Sequence, residues 1–235
     1  MPEPPTPRES VYGAARQGLR TRLAERFARR ARERRAGLFR RLIDPRPGER
    51  IVDVGCGEAG LAAHLGGNEI TGVDLVERPG YAGPNRRFVR ADARELPFAD
   101  GEFEIAYSNS LIEHVGGPRD RERVAAELRR VGRRYFVQTP NRWFPVEPHS
   151  LLPLVHLLPR RMGRRLWRFG VSDDPFEDTW LLVARDLRKL FPDALIVRER
   201  VGPLTKSLVA AGPKEALATR RRAPGPRPGP SSAGS

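Results

Sequence analysis

Ile51-Val52-Asp53-Val54-Gly55-Cys56-Gly57-Glu58-Ala59-Gly60-Leu61 is the stretch whose reading decides the fold. Ile51, Val52 and Val54 are β-branched and form a short apolar run, the pattern of a strand covered on both faces. Gly55 and Gly57 tolerate backbone angles that side chains forbid, and they let a ligand approach the main chain. Gly60 lets a following helix pack close to the strand, and a helix start there offers unpaired N–H groups to a polar ligand. Asp74 stands 19 residues after Gly55, at the end of Glu69-Ile70-Thr71-Gly72-Val73. A carboxylate so placed can accept hydrogen bonds from both hydroxyls of a ribose. The arrangement predicts a strand, a tight turn and a pocket for a nucleotide-like ligand.

Taken literally, Gly55-x-Gly57-x-x-Gly60 also matches the dinucleotide fingerprint. Three further features favour a different ligand. Asp53 lies two residues before Gly55, where its carboxylate would repel a pyrophosphate but accept a cationic amino-acid group. Arg87-Phe88-Val89-Arg90-Ala91-Asp92-Ala93 then reads as a third strand leading to a second acid. Leu96-Pro97-Phe98-Ala99-Asp100-Gly101-Glu102-Phe103-Glu104-Ile105-Ala106-Tyr107-Ser108-Asn109 reads as a turn into a fourth strand.

In order and spacing, this series resembles the class I S-adenosylmethionine-dependent methyltransferases, and within them the small-molecule branch called methyltransferase type 11. The matching segments are Val52-Asp53-Val54-Gly55-Cys56-Gly57, Gly72-Val73-Asp74, Ala91-Asp92-Ala93, Leu96-Pro97-Phe98, Phe103-Glu104 and Ser108-Asn109-Ser110-Leu111-Ile112-Glu113-His114-Val115. They cover roughly residues 45–140. The resemblance implies a Rossmann-like α/β fold, with helices on both faces of a seven-stranded, mostly parallel sheet in the order 3-2-1-4-5-7-6. It also implies S-adenosyl-L-methionine as cofactor. Asp53, Gly55, Cys56 and Gly57 would line its methionine part, and Asp74 would hold the ribose. Asp92 would bond the adenine amino group with Ala93 beside it, Leu75 would contact the adenine, and Asn109 would lie near the methionine end. For Asp92, a helix cap before Ala93-Arg94-Glu95 is the competing reading. Pro79, Gly80, Gly83 and Pro84 interrupt the helix that the family carries after Asp74, so an irregular loop is expected there.

The chain has 235 residues, enough for a substantial core in one domain. Its net charge of +14 suggests nucleic acid until the charge is located. Residues 8–50 hold 14 Arg against five acids, and the tail from Thr219 holds four Arg and no acid. Residues 51–218 carry 25 basic and 23 acidic side chains. A nearly neutral catalytic core argues against a nucleic-acid partner, which would place basic surface beside the site. Cys56 is the only cysteine, so no intrachain disulfide forms, and it reads as a small turn residue. Scattered histidines and one cysteine make no metal-ligand cluster. The longest apolar patch, Leu151 to Leu158, is too short to span a bilayer, and a cytoplasmic protein is expected.

Three segments follow: an Arg-rich helical stretch (1–44), a methyltransferase domain (45–218) with a substrate-side insertion (about 141–179), and a disordered Pro/Gly/Ser-rich tail (219–235). In the first, Leu19, Leu23, Phe27, Leu38, Phe39, Leu42 and Ile43 recur at helical spacing. This stretch packs beside the core, covers the pocket, or turns its Arg face to an anionic membrane or nucleic acid. Within the domain, a helix (Asp120 to Val131), a fifth strand (Arg134 to Thr139), a last helix (Arg185 to Phe191) and a closing strand pair are expected.

The insertion is the natural place for acceptor selection, and Trp143 and His149 are its candidate substrate contacts. Arg160 to Arg168 reads as a basic amphipathic helix, a lid face or a peripheral membrane contact. Methyl transfer to a protonated O, N, C or S atom calls for a base, and His149 and His114 have the right ordinary pKa. The expected activity is methyl transfer to a small-molecule or lipid-linked acceptor. The alternatives are an RNA or protein methyltransferase docking through the Arg-rich helix, and a non-catalytic cofactor-binding accessory protein.

Overall fold

The computed structural model describes residues 30, 33–57, 60–61, 64–78, 81, 83–147, 150–170 and 179–222. Its strands are β1 (Arg50–Val54), β2 (Glu69–Asp74), β3 (Arg86–Arg90), β4 (Phe103–Asn109), β5 (Gly132–Pro140), β6 (Leu195–Val201) and β7 (Leu204–Gly212). They form one sheet in the order β3-β2-β1-β4-β5-β7-β6. The five strands from β3 to β5 pair in parallel, and β7 runs antiparallel to both β5 and β6. This is the order that the motif series implied.

Alternating side chains divide between the two faces of the sheet. On one face Val52, Val54, Ala106, Val137, Leu208 and Ala210 are buried. Over them lie α2 (Pro118–Val131), through Val124, Ala125, Leu128 and Val131, and α4 (Ala184–Leu190), through Leu187. On the other face Ile51, Ile105, Tyr107, Phe136 and Val209 are buried beneath α1 (residues 33–43). Phe39 of α1 sets its ring edge-on against Tyr107 and Phe136, with centroids 5.3 and 5.4 Å away, and those two rings stack on each other. Edge-to-face pairs of this kind add about 0.5–1.5 kcal/mol beyond the area they bury. Residues 33–43 are therefore part of the core. The apolar positions at 19, 23 and 27 lie outside the described residues.

Some boundaries differ from expectation. The helix expected at Asp120 starts at Pro118, because proline at the first helical position removes no hydrogen bond. Helix α4 is followed by α5 (Lys214–Arg222), which runs into the stretch read as tail. Leu217 anchors it in the core, and the Arg220 guanidinium lies 2.8 Å from Glu49. Behind the glycine turn, Gly60 is in a turn and Leu61 in a 3₁₀ turn, while 58, 59, 62 and 63 lie outside the described residues. The insertion after β5 contains a 3₁₀ turn (Val155–Leu157) and α3 (Arg160–Trp167). Among the described residues no helix is long and apolar enough to cross a membrane.

Candidate active site

The site grows from one row of side chains across the sheet. Register pairs Gly72 of β2 with Asp53 of β1, and Asp53 with Tyr107 of β4. A Cβ on Gly72 would lie 2.5 Å from the ring of Tyr81, so this glycine exists to let Tyr81 lie against the sheet. From there the Tyr81 hydroxyl donates to Asp53 Oδ2, which also accepts the Leu61 N–H at 2.7 Å. A Cβ on Gly60 would stand 2.2 Å from that same oxygen and 2.6 Å from the Cys56 carbonyl. Gly55, Gly57 and Gly60 all have positive φ. The turn is thus wrapped around the Asp53 carboxylate.

Burial raises the Asp53 pKa from an ordinary 3.8 to about 6, opposed by the Tyr81 and Leu61 hydrogen bonds and aided by Asp74. Burial first, then the charges of Asp53 and Asp74, pushes the Cys56 thiol well up. A protonated, buried thiol is no nucleophile, in agreement with its reading as a turn residue.

The two outer acids are engaged within the chain. Asp74 Oδ2 accepts from Gly57 N–H at 3.2 Å and Arg78 Nε at 3.1 Å, and Oδ1 accepts from Val76 N–H at 3.2 Å. A carboxylate offers about four acceptor positions. Two ribose hydroxyls can therefore be taken only if Arg78 gives way. Asp92 is held by the Arg94 backbone N–H and by its guanidinium at 2.6–3.0 Å. These bonds, led by the side-chain pair, hold the Asp92 pKa below its ordinary value. Residues 93–94 form a turn, so Asp92 closes a turn onto its own neighbour and caps no helix. Ala93 packs half-buried against the core, and Leu75 is 60% exposed beside Asp74.

At the carboxyl edge, Asp53, Gly55, Cys56, Gly60, Tyr107 and Asn109 line a slot of about 50 Å³. Asn109 Oδ1 is buried there without a hydrogen-bond partner. A Cβ on Gly57 would meet nothing within 4 Å, so main chain faces open space beside the slot. These features fit the amino-acid end of S-adenosylmethionine, with a carboxylate for cationic groups and an amide oxygen waiting for a donor. Next along β4, Ser108 Oγ donates to the Val54 carbonyl at 2.9 Å and ties the edges of β1 and β4 together.

The expected acceptor residues are less closely gathered. His114 is exposed on the turn after β4 and does not line the slot. Trp143 is 66% exposed, with the Arg142 guanidinium over its ring, and it too lies outside the lining. His149 lies outside the described residues. No group of three or more His, Cys, Asp or Glu among the described residues could hold a metal ion.

Sequence reasoning missed Tyr81, Arg78, Arg94 and Glu113. Gly72 inside a strand was the available signal for Tyr81. Glu113 is fully buried; Thr139 Oγ1 donates to its Oε2 at 2.9 Å, and its carbonyl accepts the Trp180 N–H at 2.7 Å. It thereby joins the edges of β4 and β5 to the far end of the insertion.

Residues 52–135 match the family model described as a methyltransferase domain. An uncharacterised methyltransferase of Mycobacterium sp. (strain JLS) is 38% identical over 90 residues, 35% of this chain and 36% of that protein. A ubiquinone biosynthesis O-methyltransferase of Aromatoleum aromaticum is 32% identical over 127 residues, 48% of this chain and 54% of that protein. The chain thus matches about a third to a half of the length of these relatives. Among solved structures, the magnesium protoporphyrin IX methyltransferase of Synechocystis PCC 6803 with bound S-adenosylhomocysteine shares the fold, with a TM-score of 0.57. It is 15% identical, and the match covers 86% of this chain and 90% of that one. Residues 52–135 thus match a methyltransferase domain, and the sheet order around it is the one that the resemblance to the class I S-adenosylmethionine-dependent methyltransferases implied.

Proposed function

We propose that the chain is an enzyme that transfers a methyl group from S-adenosylmethionine to a small-molecule or lipid-linked acceptor. The observation that carries this reading is the buried, unpartnered Asn109 Oδ1 in a slot wrapped by the glycine turn. When bound, the donor supplies a methyl already activated by its sulfonium. The chain's part is alignment, which can contribute on the order of 7–11 kcal/mol. Asp53 and Asn109 hold the amino-acid end of the donor, Asp74 the ribose once Arg78 moves aside, and Leu75 offers an apolar surface to the base. Asp92 and Ala93 border the adenine.

On the acceptor side, Trp143 and the insertion form the contacts, and His149 or His114 takes the proton of a protonated nucleophile. Such a base adds typically ~10²–10⁴-fold. The names of relatives, among them O-methyltransferases, support a small-molecule acceptor. Burial of Phe39 and Ile43 favours this reading over RNA or protein docking through residues 33–43.

Calorimetry with S-adenosylmethionine and with NAD tests the proposal. Binding of the first is expected, and binding of NAD alone would overturn it. Donor binding without methyl transfer to any extracted metabolite pool would leave only an accessory role.

A further inference from the structure

Helix α3 carries two apolar stripes where a helix on a protein surface ordinarily carries one. Gly163 and Trp167, one turn apart, are buried and hold α3 to the rest of the insertion. Beside them Met162, Leu166 and Phe169 follow at steps of four and three, so they share the adjoining face. Phe169 continues that face because its N–H donates to the Leu166 carbonyl at 2.9 Å. These three are 52%, 40% and 62% exposed. Leu154 and Leu157, at the 3₁₀ turn against which α3 packs, are exposed as well. At the start of α3 the Arg160 guanidinium lies 5.5 Å from the ring centre of the half-exposed Trp180. The Arg142 carbonyl is 2.8 Å from His156 Nε2, which brings the neighbouring Trp143 to the same turn. Of the twelve large apolar side chains exposed among the described residues, eight lie from Trp143 to Trp180. Exposed apolar surface is therefore gathered on the insertion, and a gathered patch marks an interaction site where scattered residues would not.

The same stretch carries charge of one sign. Residues 148–172 contain Arg160, Arg161, Arg164, Arg165 and Arg168 and no acid. Helical geometry sets Arg161 and Arg165 along the border of the exposed stripe that faces away from Gly163 and Trp167. Apolar side chains bordered by guanidinium groups match an anionic lipid surface, where the first enter the acyl boundary and the second meet the phosphates. An RNA partner would engage the arginines and leave Met162 and Leu166 in water. With eight residues α3 cannot cross a bilayer, so it lies flat on one. The next acids, Asp173, Asp174, Glu177 and Asp178, lie outside the described residues.

We propose that α3 and the 3₁₀ turn before it form a docking surface for an anionic phospholipid bilayer. The Trp180 N–H donates to the carbonyl of Glu113, just beyond the carboxyl end of β4, so this surface stands at the edge of the sheet that holds the slot. A docked chain turns that edge toward the bilayer. Of the two acceptor classes proposed above, this favours the lipid-linked one, a consequence that rests on the proposed activity. The docking itself does not rest on it.

Co-sedimentation of the full chain, without cofactor, with vesicles tests the proposal. One set is phosphatidylcholine alone, and the other is phosphatidylglycerol and phosphatidylcholine in equal parts. The three tryptophans of the chain, Trp143, Trp167 and Trp180, all lie in the insertion or at its edge, so their emission reports contact there. Binding to the anionic vesicles with a blue shift of that emission is expected, and little binding to the neutral ones. Replacing Met162, Leu166 and Phe169 together by Ser should weaken binding by about 100-fold, since each loses its apolar burial in the acyl boundary. Arg161→Gln with Arg165→Gln should weaken it by about 30-fold, at about tenfold or less per arginine near an anionic surface. Both sets are exposed positions, so thermal unfolding should match the wild type. No binding to anionic vesicles overturns the proposal. So does equal binding to both compositions, the result if the acids from Asp173 to Asp178 neutralise the arginines. Binding that survives the Ser substitutions, or comes without a blue shift, places the contact elsewhere on the chain and also overturns it. Self-association of the wild type that the Ser substitutions abolish, in place of vesicle binding, would make a second copy the occupant and refute it. Vesicle binding by a chain that fails to bind S-adenosylmethionine would refute the proposed activity and support the docking surface alone.

Discussion

Asp53→Asn is the substitution through which the wrapped turn can be tested most directly. The Asp53 carboxylate is 1% exposed, and its pKa is raised from 3.8 to about 6. The folded state therefore holds this proton more tightly than the unfolded chain does. For an acid shifted upward, stability falls as pH rises between those two values, because the folded state must ionise a buried group. A shift of this size corresponds to about 3 kcal/mol, at 1.36 kcal/mol per unit. Between pH 4 and 7.5 roughly 2–3 kcal/mol of that cost should develop in the wild type and be missing in Asp53→Asn. Asparagine keeps an oxygen to accept from the Leu61 N–H and the Tyr81 hydroxyl, so the turn retains its anchor.

The assay is urea unfolding of both proteins at pH 4 and pH 7.5. The stability difference, variant minus wild type, should grow toward the variant by that amount. Other titrating groups are common to both proteins and cancel in the difference. The variant should also bind S-adenosylmethionine more weakly, since the slot loses its negative charge. A difference that stays flat with pH, or that moves toward the wild type, refutes the claim that Asp53 ionises at a cost inside the turn.

Other perturbations read the same architecture. Gly60→Ala would place a Cβ 2.2 Å from Asp53 Oδ2 at a positive φ. It should lower stability by several kcal/mol, against about 1 kcal/mol for Gly48→Ala, where nothing lies within 4 Å, and thermal unfolding would separate the two. Arg78→Met should tighten binding of adenosine-bearing ligands by freeing Asp74, whereas Asp74→Ala should abolish it; equal effects of the two in calorimetry would contradict competition between Arg78 and ribose. Glu49 accepts two bonds at 2.8 Å from Arg134, which is 6% exposed, so Glu49→Ala should cost about 3–5 kcal/mol in denaturant unfolding by leaving a buried guanidinium unpaired. A cationic donor beside Asp53 should lower its pKa on binding, so titrations near pH 6 in buffers of different ionisation enthalpy should reveal proton release.

The sequence by itself determined the sheet and the glycine turn at the end of its first strand. Short-range physics marks these elements: β-branched runs such as Ile51 to Val54 specify strands, and glycines specify the turn. Strand order followed from the family resemblance that the succession of motifs carries. The tertiary structure alone decided how the acids after the turn are spent. Arg78 and Arg94 are close in sequence to Asp74 and Asp92, but nothing in their spacing shows that they occupy the carboxylates. Tyr81 sits in a Pro/Gly loop without periodicity, and only the packing over Gly72 brings its hydroxyl to Asp53. Arg35 looked like one arginine among many on a basic helix. Its burial depends on how α1 lies across the sheet, and Glu199, 164 residues away in sequence, reaches it only through the β6–β7 pairing. Local propensity and motif order are written along the chain, whereas the state of a buried charge depends on distant groups that only folding brings together.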